Sequence, residues 1–128
     1  MKLFLLASAG GAIGAGLRFL VNQAFAMRGL TGFPWATFSV NILGGFLMGA
    51  VMTLVMERLS GSPEIRTFVA TGILGGLTTF SAFTYEISQM IAADGAASPR
   101  MILYIAGSVL LSLAALYAGT AFAKAVIS

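Results

Sequence analysis

The chain has no cysteine and no histidine, and only four of its 128 residues are acidic. Without cysteine there are no disulfides and no thiolate chemistry. Without histidine there is no imidazole acid–base catalysis and no His-ligated metal. Charge is scarce overall: 9% of residues are charged, against about a quarter in an ordinary soluble domain. The net charge of +3 rests on seven basic residues scattered singly from Lys2 to Lys124. No basic patch forms, and a nucleic-acid partner is excluded on that ground.

What fills the chain is apolar. Hydrophobic residues make up 59% and the mean hydropathy is +0.98. So few charges cannot cover a water-facing surface, which makes this an integral, all-α membrane protein. About 20 apolar residues cross the hydrocarbon core. Four spans are expected, at about 3–26, 34–56, 65–93 and 100–126, forming one four-helix transmembrane domain over 1–128. The connections "MRGLTGFP", "ERLSGSPE" and "DGAASPR" are short. Each brings a proline (Pro34, Pro63, Pro99) to the start of the next span, where the missing N–H costs nothing. The opening "MKLFLLASAGG" imitates a signal peptide, but hydrophobicity continues to about Phe25, so a retained first helix is expected.

Function must then reside in the polar groups within the spans. Asn41 falls near the middle of the second, with Thr37 one turn earlier on the same face. Its amide suits either an interhelical hydrogen bond or donation to an ion. In the fourth span Tyr104, Ser108 and Ser112 recur every four residues. Their hydroxyls either turn back to i−4 carbonyls or line a path. Glycine pairs four apart, Gly10/Gly14, Gly45/Gly49 and Gly72/Gly76, read as close helix packing.

The third span is the most informative. In "TGILGGLTTFSAFTYE" Gly75-Gly76 and the β-branched Thr78-Thr79 predict a helix broken at its middle. Backbone groups freed at that depth need protein, water or ions as partners. Phe80 and Phe83 share a face, as packing residues or as part of a lining. Glu86 follows, and either it forms a salt bridge with Arg18 of the first span or Arg18 sits at a water-filled mouth and attracts anions. Apart from Glu86 no span carries a carboxylate near its middle, which points away from a proton-coupled cation carrier. An anion or neutral solute fits better.

Together "GGAIGAGLRFL", "ATFSVNILGG" and "TGILGGLTTFSAFTYE" resemble the small bacterial fluoride channels of the Fluc (CrcB) family over nearly the whole length. The third motif is the most specific. Ala82 and Thr84 depart from the family's frequent threonine and serine. The resemblance implies a fluoride-selective channel that lets fluoride leave the cell passively, in a multi-pass arrangement in the bacterial inner membrane. It further implies an antiparallel, dual-topology homodimer with two pores. Four basic residues on the side of the termini against two or three on the other give only a weak orientation bias, compatible with insertion both ways. By motif position Phe80 and Phe83 are pore phenylalanines, and Asn41, Thr79, Tyr104, Ser108 and Ser112 pore polar groups. Arg18 is a vestibule arginine, and Glu86 an acidic position near the pore. The carbonyls of Gly75 and Thr78 would hold a structural sodium ion; no organic cofactor is implied.

Two other classes compete. A small four-helix multidrug exporter uses a glutamate in its first span, where this chain has Arg18. A non-transporting assembly subunit would use the serine stripe against a partner helix. An enzyme lacks any nucleophile–base pair or metal cluster to work with.

Overall fold

The computed structural model describes residues 1–128 and contains helices only. In chain order these are α1 (Lys2–Met27), α2 (Trp35–Arg58), α3 (Pro63–Ile65), a π-helical segment (Arg66–Leu74), α4 (Gly75–Leu77), α5 (Ser81–Asp94) and α6 (Pro99–Ile127). The elements from Pro63 to Asp94 make one span interrupted after Leu77. With α1, α2 and α6 they give four segments long and apolar enough to cross a membrane.

Local chemistry sets the helix starts. Ser98 precedes Pro99 and its hydroxyl accepts from the Met101 N–H at 3.2 Å. Ser62 does the same ahead of Pro63, accepting from Ile65. A serine at the N-cap satisfies an orphan donor, and proline just inside the helix gives up an N–H that would have had no partner. Pro34 stands one position earlier, as the residue before α2.

Only 20 of the 128 residues are buried, because most apolar side chains face outward. Phe4, Phe19, Leu103, Leu110 and Tyr117 are among the exposed ones, as hydrocarbon surroundings require. Lipid tails are as apolar as leucine, so close backbone packing rather than burial from water holds such helices together. The glycine pairs supply it. A methyl on Gly10 or Gly14 would overlap backbone of the π segment and α4. One on Gly72 or Gly76 would overlap backbone of α1. Gly45, Gly49 and Gly119 bring α2 and α6 together in the same way, against the carbonyls of Ser112, Leu116 and Phe46. Two apolar clusters complete the interior: Val40, Leu74 and Leu77 near the break, and Phe83, Met90 and Tyr104 where α5 rests on α6.

Candidate functional site

The third span does break, at the Thr78-Thr79 half of the expected stretch rather than at its glycines. Gly75 and Gly76 are helical. Gly76 is glycine because α1 packs against it, with the Ala15 amide nitrogen 3.0 Å from where a Cβ would sit. The chain leaves the helix at Thr78, which is extended (φ −77°, ψ 157°), and resumes it at Ser81. Side chains outcompete the helical ladder there. Asn41 closes a two-point clamp on Thr79: its Oδ1 accepts from the Thr79 N–H at 2.9 Å, and its Nδ2 donates to the Thr79 carbonyl at 3.1 Å. The Thr79 hydroxyl accepts from the Ala82 N–H at 3.1 Å and so caps α5.

Each of these bonds takes an N–H that a continuous helix would have given to a carbonyl four residues earlier. Thr79 would have served Gly75, and Ala82 would have served Thr78. Those two carbonyls thereby lose their helical partners. The Gly76 carbonyl is released too, but Arg18 Nε donates to it at 3.2 Å. Arg18 therefore braces the break from α1.

Beside the break lies a cavity of about 560 Å³. Asn41, Thr79, Phe80, Phe83, Ser108 and Ser112 all line it, and Gly75 and Thr78 reach it as well. The hydroxyls of Ser108 and Ser112 are buried and have no hydrogen-bond partner within the protein. They do not turn back to their own helix, unlike Thr78, whose Oγ1 bonds the Leu74 carbonyl at 2.9 Å. Buried hydroxyls almost always find a partner, so two unpaired ones on one wall mark a place where something polar is received. Asn41 has one amide N–H left beyond its clamp.

The two phenylalanines touch, with ring centroids 5.5 Å apart, yet differ in setting: Phe83 is buried and Phe80 is 75% exposed. Tyr104 is wholly buried behind Phe83, its ring 5.0 Å away, and is absent from the cavity wall itself. Its hydroxyl donates to Glu86 Oε2 at 2.5 Å, while Thr37 Oγ1 donates to Glu86 Oε1 at 2.7 Å. Both carboxylate oxygens are thus held by neutral donors. Arg18 bonds Gly76 rather than Glu86, so the two form no salt bridge. Thr37, read from sequence only as a companion of Asn41, belongs to the Glu86 site. Gly44 carries no spacing signal of its own, yet a methyl there would overlap Thr78 Cγ2, so its absence seats the first residue of the break.

A family model, "CrcB-like protein, Camphor Resistance (CrcB)", matches residues 5–120. A protein of Rhizobium meliloti named fluoride-specific ion channel FluC is 41% identical over 127 residues, covering 99% of this chain and 100% of the relative. The protein of that name from Chlorobaculum tepidum is 46% identical over 124 residues, covering 97% and 96%. That from Caulobacter vibrioides is 43% identical over 130 residues, covering both chains fully. A broken third span, a clamped threonine and a serine-lined cavity thus sit in a chain that belongs to the CrcB (FluC) family, a family of membrane ion channels and not of enzymes.

Proposed function

We propose that the chain forms a fluoride-selective channel through which fluoride leaves the cell down its gradient. The observation that carries this is the pair of buried, unpartnered hydroxyls of Ser108 and Ser112 facing the break. Fluoride is small, strongly hydrated and a strong hydrogen-bond acceptor, so it enters only where donors replace its water. Ser108, Ser112 and the free Asn41 N–H are such donors. Phe80 and Phe83 contribute ring edges, the positive side of the aromatic quadrupole. Chloride is larger and gains less from these groups, so pore width and lining together select against it. Arg18 adds positive charge on the break, and Glu86, saturated by Thr37 and Tyr104, lies behind Phe83.

A single chain leaves Phe80 and much of the cavity open. We assign the missing wall to a second copy inserted in the opposite orientation, giving two pores per homodimer in the bacterial inner membrane. The weak charge bias permits both insertions. The carbonyls of Gly75 and Thr78, released by the Asn41 clamp and the Thr79 cap, fit a hard monovalent cation, and unwound-helix carbonyls are a recurring sodium ligand. A sodium ion there would satisfy four carbonyls of the dimer and add fixed positive charge beside the anion path. Replacing sodium by a large organic cation should then lower the melting temperature of the dimer; an unchanged melting temperature removes the ion from the account.

The test of function is fluoride efflux from proteoliposomes. Replacing Phe80 or Phe83 by isoleucine should cut flux sharply while the dimer stays assembled. Wild-type flux in both variants would strip the phenylalanines of their role.

A further inference from the structure

A second cavity, of about 400 Å³, opens at the end of the molecule that carries the α1–α2 and α5–α6 connections. Glu86 lies in its wall, and Asn22, Gln89 and Arg100 line it further out. The two cavities are separated by a thin partition. Tyr104 packs on Phe83, which lines the first, and bonds Glu86, which lines the second. Arg100 stands four residues before Tyr104 and so continues the stripe Tyr104, Ser108, Ser112 toward the helix end. At 1.5 Å per residue that stripe runs for about 18 Å.

Arg100 is also fastened. Its Nε and Nη2 reach Asp94 Oδ2 at 2.9 and 2.7 Å, and Nη1 donates to the Gly32 carbonyl at 2.7 Å. One guanidinium thus joins the end of α5, the start of α6 and the connection ahead of α2. Both partners remain partly exposed, at 40% and 36%.

We propose that this cavity is the outer mouth of the anion path and that the Arg100–Asp94 pair tunes its charge beside the donor-capped Glu86, Arg100 drawing fluoride in and Asp94 holding that attraction in check. The inference rests on the channel reading above. Removing either partner changes the mouth by one charge, in opposite directions. A unit charge 5–10 Å from an ion in water alters the ion's local concentration about two- to fourfold. The effect operates over about 30 Å at 10 mM salt and fades near 8 Å at 150 mM. An exposed pair contributes little to folding, so the variants should assemble.

Fluoride flux through the wild type, Arg100→Gln, Asp94→Asn and the double variant in liposomes tests this at both salt levels. At low salt Arg100→Gln should lower flux two- to fourfold, Asp94→Asn should raise it by a similar factor, and the double variant should lie near wild type. At high salt the differences should shrink. A bridge that merely ties the loops together predicts the same sign for both single variants. That result, or no effect in either, overturns the proposal while an active wild type leaves the channel reading standing. An inactive wild type overturns both.

Discussion

Asn41 is where the break is made, so its substitution separates the structural half of the account from the conductive half. Asn41→Ala leaves the Thr79 N–H and carbonyl without their clamp. Two unsatisfied groups in a dry interior would cost about 1–3 kcal/mol each. The break, however, borders a cavity, and interhelical hydrogen bonds measured in bilayers average about 0.6 kcal/mol. The expected loss is therefore about 1–2 kcal/mol, enough to lower the melting temperature without abolishing assembly. Asn41→Asp keeps an acceptor for the Thr79 N–H but replaces both donors with a negative charge on the proposed anion path. At an effective dielectric of about 20, like charges 4 Å apart repel by about 4 kcal/mol, so flux should fall at least a hundredfold. Melting of the detergent-solubilised protein and electrode-detected fluoride efflux read the two effects separately. If Asn41→Asp conducts fluoride at the wild-type rate, the cavity beside the clamp is not the path.

Three further perturbations bear on parts of the structure. Gly14→Ala places a methyl into the backbone around Ile73 and Leu77, where nothing can rotate away, and should sharply reduce the yield of folded protein. Gly11→Ala meets no neighbour within 4 Å and should be tolerated, and equal yields would refute the packing role. Gly44→Ala overlaps Thr78 Cγ2, and turning that side chain away costs its Leu74 bond. Overpacking of this kind costs about 1–3 kcal/mol, and flux should fall with it; unchanged melting and flux would contradict the seating role. Tyr104→Phe keeps the ring against Phe83 but removes the donor to Glu86. A hydrogen bond to a charged group contributes about 1.5–3 kcal/mol, so melting should drop while flux falls less than in Phe83→Ile. An unchanged melting temperature would show that Glu86 needs no second donor.

Much of this arrangement was legible in the residues. Apolar run length placed the helices within two residues of their ends, and Pro63 and Pro99 marked where α3 and α6 begin. Ser108 and Ser112 of α6 and the residues of the break do meet in one cavity, while Tyr104, the third member of the stripe, stands behind Phe83. What sequence could not supply was competition at a distance. Gly75-Gly76 and Thr78-Thr79 both pointed to a rupture, but Gly76 is a contact face for α1, and the rupture falls at Thr78, where Asn41, 38 residues away from Thr79, takes the Thr79 N–H. The partners of Glu86 were hidden for the same reason. Thr37 and Tyr104 come from two other helices, and Arg18, the obvious opposite charge, is engaged by a carbonyl. Spacing reveals which groups share a face, not which face meets another.

The central claim is that the break and the serine wall form a selective path for fluoride. It is tested most directly by passive flux of fluoride and chloride through the purified wild-type protein in liposomes, with internal pH monitored at the same time. The account predicts rapid fluoride efflux, chloride retention and no proton movement driven by the anion. Equal flux of the two anions, or fluoride movement that drives protons, would contradict it.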